Sequence, residues 1–305
     1  MKILSYLITV CILSLPVASI AERKKPPTYK ISKLFEIKGT QDHPLDQPSD
    51  IVVSKNGTIY AVDGPNFKIS AYDQGGRFLF SFGKKGNRGG EFAAPIGIGI
   101  SSTDDLYIAD RGNQMIHIFD SRGRFKGKVD LSAHAVVPID VAVDPTNKLL
   151  YITDNKGHRV VVFNRSGKLV SEWGQRGEQD RDFRYPATIW LHKDKLYIAD
   201  SLNSRAVVYR TNGRFMRQIG SWGVLPGEFF RPKGVAVADD GKVYIADSFI
   251  DVIEVFSEEG QFLHVLGEGR GKIRRFTAPG GIFIKNNKLY VTEMLANKVS
   301  VYELK

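Results

Sequence analysis

One short pattern recurs six times along the chain and limits the possible folds more than any other feature. Each copy has a strand-like segment that ends in an acid, such as "LYIAD", then a polar turn, an alternating apolar segment and a turn at glycine. The acids are 44 to 47 residues apart, at Asp63, Asp110, Asp154, Asp200, Asp247 and Glu293. A regular period of this length indicates a repeat architecture in which each unit packs against the next.

Each unit is predicted to form four short antiparallel strands, which is the pattern of a β-propeller blade. A proline lies near the start of each blade, at Pro48, Pro95, Pro138, Pro186, Pro232 and Pro279. The sixth unit ends at Lys305 after three strands, and residues 31–39 ("ISKLFEIKG") resemble the outer strand that it lacks. We therefore predict an all-β, six-bladed propeller over residues 29–305, in which the N-terminal strand completes the last blade.

The units also resemble a known family. The segments "Pro-x-Gly-Val-Ala-Val" and "Tyr-Ile-Ala-Asp-x-x-Asn-x-Arg" look like the NHL repeat, and the resemblance covers essentially the whole chain after its first residues. Asn203 and Arg205 match the motif in unit four, whereas unit three has Gly157 at the Asn position and unit five has Ile250 and Val252. The resemblance implies a six-bladed β-propeller but no particular reaction.

The first 21 residues have the form of a secretory signal peptide. Lys2 precedes an apolar run over residues 3–15, and Ser19-Ile20-Ala21 supplies the small residues that a signal peptidase needs. We predict cleavage after Ala21, a linker over residues 22–28 and a periplasmic or extracellular location; an uncleaved anchor is the alternative. The only cysteine, Cys11, lies within this signal. The mature chain is expected to be a monomer with no disulfide and no membrane span.

Positive charge indicates the kind of partner. The net charge is +10 at pH 7, which favours anionic ligands. In a propeller, the loops between blades and the loops after "YIAD" emerge on the same face, and basic residues are concentrated in both sets. The predicted ligand-binding residues on this basic face are Arg111, Arg159, Arg184, Arg205, Arg231, Lys233, Arg274 and Arg275. The alternative is that these are ordinary solvated loop charges.

The sequence therefore predicts an exported, non-enzymatic binding protein whose partner is an acidic protein, peptide or glycan. The six recurring acids are expected to cap backbone N–H groups in the turns that follow them. The recurring Gly-x-Phe element, such as Gly90 to Phe92, is expected to be structural because it repeats around the ring.

Two further functions remain as alternatives. Some six-bladed propellers are metal-dependent lyases or lactone hydrolases, and His43, His134 and His158 fall on the loop-rich face. No two histidines have the spacing of metal ligands, and no nucleophile or phosphate-binding motif occurs, so no catalytic residue, metal or cofactor is predicted. RNA binding, as in intracellular NHL proteins, ranks lower because of the export signal, and nucleic acid is not expected as a partner.

Overall fold

Six sheets of four antiparallel strands surround a central channel in the computed structural model, which describes residues 26–146 and 148–304. The predicted signal peptide and most of the predicted linker lie outside the described residues. From the channel outwards, blade 1 contains β3 (Ile51–Val53), β4 (Ile59–Asp63), β5 (Lys68–Tyr72) and β6 (Phe78–Phe82). Blade 2 contains β7 (Pro95–Ile100), β8 (Leu106–Asp110), β9 (Met115–Phe119) and β10 (Phe125–Asp130). Blade 3 contains β11 (Pro138–Val143), β12 (Leu149–Asp154), β13 (Arg159–Asn164) and β14 (Leu169–Trp173).

The remaining three blades follow the same order. Blade 4 contains β15 (Pro186–His192), β16 (Lys195–Asp200), β17 (Arg205–Arg210) and β18 (Phe215–Ile219). Blade 5 contains β21 (Pro232–Val237), β22 (Val243–Asp247), β23 (Val252–Phe256) and β24 (Phe262–Gly269). Blade 6 contains β26 (Pro279–Lys285), β27 (Lys288–Glu293), β28 (Lys298–Glu303) and β2 (Ser32–Ile37). The described chain also has β1 (Thr28–Lys30), β19 (Ser221–Trp222), β20 (Glu228–Phe229) and β25 (Lys272–Ile273) at blade edges and in loops.

The N-terminal strand closes the ring as predicted. Strand β2 is antiparallel to β28, with Ile37 opposite Val299, and forms the outer edge of blade 6. Strand β1, which begins at the last residue of the predicted linker, pairs in parallel with β24 at the edge of blade 5. Closure leaves neither the first nor the last blade with an open sheet edge facing the other.

Packing between blades explains why the second strand of each unit is apolar along its whole length. All five residues of β8 are buried, because neighbouring blades cover both faces of the sheet. The outer strand β10 is largely exposed and correspondingly polar. The only helical segments of the described chain are three single 3-10 turns, at Ser132–His134, Ser201–Asn203 and Met294–Ala296.

The inner strands approach one another closely around the channel. A Cβ atom at Gly97 would lie 2.1 Å from the carbonyl oxygen of Ile139 on the next-blade strand. Glycine at this point therefore allows the inner strands of blades 2 and 3 to pack side by side. Asp140 occupies the corresponding position of blade 3, two residues after its proline.

Candidate functional site

The recurring acids anchor the loops of one face, which we call the loop face. Asp247 at the end of β22 accepts hydrogen bonds from four backbone N–H groups, those of Phe230, Arg231, Phe249 and Ile250. Two of these belong to the loop that enters blade 5 and two to the turn after β22. The acid thus ties both loops to the blade, and its predicted structural role is confirmed.

The phenylalanine of the Gly-x-Phe element is also structural, as predicted. Phe92 and Phe229 are completely buried, each beneath the loop that enters its blade, and so is Phe183, the equivalent residue of a unit that has Arg181 in place of the glycine. A Cβ atom at Gly83, whose φ is 91°, would lie 2.3 Å from the ring of Phe92. These buried rings hold the inter-blade loops in fixed positions, so side chains on the loop face start from an ordered backbone.

Arg205, a predicted ligand-binding residue, is part of the scaffold. Its side chain is 5% exposed, and Nε bonds to Asp200 Oδ2 at 3.0 Å. The remaining N–H groups donate to the side chain of Gln218 and to the carbonyl oxygens of Glu178, Gln179 and Asp182. All five donors of the guanidinium are thereby satisfied, so Arg205 presents none to a ligand.

Two other predicted residues are engaged in a similar way. Arg159 donates to Asp154, Glu172 and the carbonyl oxygen of His134. Arg274 pairs with Glu268 at 3.0 Å, and its guanidinium lies over the rings of Phe276 and Tyr302. These arginines join strands to loops within a blade.

The other five predicted cations lie on the loop face. Arg184 is partly exposed and pairs with Glu178 at 2.7 Å. Arg111, Arg231 and Arg275 are exposed, and in the described part of the chain none of them forms an ion pair. Lys233 is half-buried at the mouth of the channel, where burial and then the charge of Arg231 lower the pKa of its ammonium group.

An apolar projection, which the sequence did not single out, lies among these cations. We call residues 221–226 the ridge: Trp222 is 73% exposed, Val224 is 67% exposed and Leu225 is 44% exposed. The turn is fixed from below, since the amide of Leu225 donates to Glu228 and that of Gly223 to the carbonyl of Phe229. A rigid, exposed group of large apolar side chains is typical of an interaction site.

A groove runs along each side of the ridge. The first, of about 350 Å³, lies between Trp222, Leu202 and Arg184. The second, of about 730 Å³, is apolar and is lined by Val224, Leu225, Pro226, Ile250, Ile273 and Arg275, among others.

Glu254 lies in the wall of the second groove and fixes the end of the ridge. Its carboxyl accepts the amide of Gly227 at 2.9 Å, and no cation pairs with it in the described chain. Burial raises the pKa of Glu254 to about 8, with smaller contributions from Asp247 and Glu228. The carboxyl is therefore largely protonated at neutral pH.

The channel holds a second acidic feature that the sequence analysis missed. Asp50 and Asp140 are 6% and 5% exposed, and both line the same two cavities in the channel. Burial raises the pKa of both carboxyls, and the charge of Asp140 further raises that of Asp50. The signal was present in the repeat, because the equivalent positions hold Gly97, Thr188, Gly234 and Gly281.

The described residues contain no cluster of three or more His, Cys, Asp or Glu side chains that would suit a metal ion. His134 and His158, two of the three loop-face histidines, contact aromatic rings of their own neighbourhood, Phe163 and Tyr185 respectively. No helix within residues 26–146 or 148–304 has the length and apolar character needed to cross a membrane.

Comparison with known families and structures agrees with this architecture. A family model described as a 6-bladed beta-propeller matches residues 178–253, and the NHL repeat matches residues 137–163. The protein is a six-bladed β-propeller, and one segment of it is similar to the NHL repeat. The predicted resemblance is thereby confirmed. No curated protein matches the chain in sequence.

Solved structures show how general this propeller fold is. Virginiamycin B lyase from Staphylococcus aureus is 16% identical with a TM-score of 0.64, and the match covers 90% of this chain and 99% of the lyase. A structural genomics protein from Bacteroides thetaiotaomicron is 14% identical with a TM-score of 0.68, covering 90% of this chain and 75% of that protein. At such identities the likeness establishes the propeller fold alone.

Proposed function

We propose that this propeller is an exported, non-enzymatic binding protein. Its loop face at blades 4 to 6 binds a protein segment that carries both apolar and acidic side chains. The observation that carries the proposal is the ridge, where Trp222, Val224 and Leu225 are exposed on a turn that the blade holds rigid. Tryptophan and arginine are the residue types that most often dominate binding energy at protein interfaces.

The shape of the surface favours a peptide segment over the other anionic partners that the sequence allowed. The grooves on either side of the ridge have volumes of about 350 Å³ and 730 Å³, so together they can hold several side chains of a peptide. Val224, Leu225 and Pro226 make one wall of the larger groove aliphatic, so apolar side chains of a peptide gain from contact with it. Phe249, which is 59% exposed and stacks on Phe230, extends the apolar surface toward the channel.

Unpaired cations next to the ridge give the preference for acidic partners. Arg231 lies on the loop that follows the ridge, and Arg275 lines the second groove. Neither arginine has an ionic partner in the described chain. Exposed charges of this kind raise the association rate and select the partner more than they add affinity. Binding is therefore expected to weaken with increasing salt.

Selection from a random peptide library on the immobilised protein tests the proposal. Selected peptides should combine acidic and large apolar residues, and Trp222→Ala with Leu225→Ser should weaken their binding by at least about tenfold. Leu79→Ala is the matched control, since Leu79 is 49% exposed on the outer strand β6. Peptides that bind both variants equally well would place the site elsewhere.

Reversal of charge tests the electrostatic part separately. Arg231→Glu with Arg275→Glu should reduce binding and its salt dependence, whereas Arg122→Glu with Arg214→Glu, on exposed hairpins of the opposite face, should not. Equal losses in the two double variants would indicate an effect of net charge only.

A metal-dependent lyase or lactone hydrolase is the second candidate, because virginiamycin B lyase carries its activity on the same propeller fold, which the match covers over 90% of this chain. Metal analysis of the purified protein, together with turnover assays on cyclic esters, tests this candidate. A stoichiometric metal ion whose removal abolishes turnover would replace the first proposal.

A further inference from the structure

Two aspartates interrupt the inner ring of the propeller. The position two residues after the blade proline is Gly97, Gly234 or Gly281 in three blades and Thr188 in a fourth. Asp50 and Asp140 occupy it in blades 1 and 3. A Cβ atom at Gly281 would lie 2.1 Å from Asp50 Oδ1, so the ring is closely packed around the acids.

Both carboxyls link neighbouring inner strands, but this role does not require an acid. Asp50 Oδ2 accepts the amide of Ile98, and Asp140 Oδ2 accepts that of Ile189, both at 2.9 Å. Thr188 makes the same link to the next blade by accepting the amide of Val235 at 3.1 Å. A neutral hydroxyl therefore satisfies the strand-to-strand contact. The second oxygen of each carboxyl accepts the amide of its own next residue, Ile51 at 2.9 Å and Val141 at 2.7 Å, and no cation in the described chain offsets the cost of burying the two acids.

An apolar cavity of about 200 Å³ opens onto this pair from the side opposite the loop face. Apart from the two acids and Thr188, it is lined by apolar side chains and backbone, including Val52, Ile100, Val143, Leu191, Trp190 and Phe283. The Trp190 and Phe283 rings meet edge to face, with centroids 5.0 Å apart. Apolar cavities of about 150 Å³ are large enough to bind benzene.

A second, smaller cavity of about 90 Å³ meets the pair from the loop face. Lys233, on the inner strand β21 of blade 5, is the one cation that lines it. Asp50, Asp140 and Lys233 are the titratable side chains that line the two cavities. The acidic pair therefore faces apolar surface on one side and a cation at the channel mouth on the other.

We propose that the channel binds a small primary amine with a compact apolar body. The ammonium group donates hydrogen bonds to Asp50 and Asp140, and the apolar body fills the cavity beside Trp190. A primary ammonium group has three N–H donors and one positive charge, so it can bond to both carboxyls and offset negative charge on the pair. Lys233 repels a second cation at the loop-face mouth, so the ligand enters from the opposite face.

Benzylamine and benzyl alcohol form a matched pair of probes, because they share the ring and differ in charge. Calorimetry with the purified protein at pH 7 should show benzylamine binding at least about tenfold more tightly than the alcohol. The double variant Asp50→Asn with Asp140→Asn, which keeps an oxygen acceptor at both positions and removes the negative charge, should abolish that preference and leave binding of the alcohol unchanged.

A change in the cavity gives an independent test if the carboxyl variant is unstable. Ala142 lines the cavity, so Ala142→Leu should exclude both probes while leaving the acidic pair in place. Equal affinities for the two probes in the wild-type protein would overturn the proposal. It would also be overturned if benzylamine showed no binding up to about 10 mM, or if Ala142→Leu bound benzylamine as the wild-type protein does.

Discussion

The turn of blade 4 and the centre of the channel bury charge in opposite ways. Asp200 and Arg205 are both inaccessible to solvent, but they form an ion pair at 3.0 Å whose arginine has a partner for every donor. Asp50 and Asp140 are buried to a similar degree, but both are acids, and no cation forms an ion pair with either in the described chain. A buried charge with its counterion is part of the scaffold, whereas an uncompensated one is a candidate for function.

The largest expected effect is on the balanced cluster of blade 4. Arg205→Leu leaves Asp200 buried with one backbone donor, the amide of Arg184, and with Asn203. It should destabilise the protein by about 3–5 kcal/mol because the remaining charge is uncompensated. Thermal unfolding at pH 7 measures this loss.

Removal of the remaining charge should restore much of that stability. The variant that combines Arg205→Leu with Asp200→Asn is expected to unfold at a higher temperature than Arg205→Leu alone. If both unfold at the same temperature, the arginine stabilises the blade by packing and not by its charge.

Substitution of Glu254 should have the next largest effect on the free energy of unfolding, and it should stabilise the protein. Its pKa is raised from 4.5 to about 8 by burial, so the folded state binds a proton that the unfolded state has released. Stability should consequently decrease as pH rises from about 4.5 through about 8. Glu254→Gln keeps an acceptor for Gly227 and should stabilise the protein by about 2–4 kcal/mol at pH 8.

Denaturant unfolding at pH 5 and pH 8 measures this effect, with the exposed Glu303→Gln as the control. The gain from Glu254→Gln should be small at pH 5 and should grow toward pH 8. A gain that is the same at both pH values would mean that Glu254 does not titrate between them.

The channel pair should behave like Glu254 but more weakly, because backbone amides donate to both carboxyls. Their pKa values are raised, so stability is lost as pH rises above the ordinary carboxyl range. Asp140→Asn should stabilise the protein by about 1–2 kcal/mol at pH 8 and have little effect at pH 4. Destabilisation at both pH values would show that the pair is structural.

The ridge should have the smallest effect on stability, since its side chains contribute to binding and almost nothing to the free energy of unfolding. Trp222→Ala should change the free energy of unfolding by no more than about 0.5 kcal/mol, because the ring lies on the surface. Denaturant unfolding checks this value. A loss of several kcal/mol would mean that Trp222 packs against the body of the protein.

The repeat was sufficient to predict the features that every blade shares. It predicted the six blades, the closing strand β2 and the structural role of acids such as Asp247, because a role that recurs six times follows from local geometry. It did not predict that the side chain of Arg205 is buried in the scaffold. Three of its acceptors are carbonyl oxygens of residues 178–182, and the directions of carbonyl groups in a loop are not visible in the sequence.

The features that differ between blades were harder to predict from the sequence. The Gly-to-Asp changes at Asp50 and Asp140 were visible in the aligned units, but only the closed ring shows that the two residues line the same cavities. The exposure of Trp222 was likewise unpredictable, since an aromatic residue in a long loop is equally compatible with packing beneath it.

Hydrogen exchange of the propeller with and without a selected peptide tests the central claim most directly. The predicted result is protection of backbone amides at residues 221–227 and 248–251, with no change in the hairpins of the opposite face. Protection confined to the opposite face, or no protection of the ridge under saturating peptide, would contradict the assignment of the loop face as the binding surface.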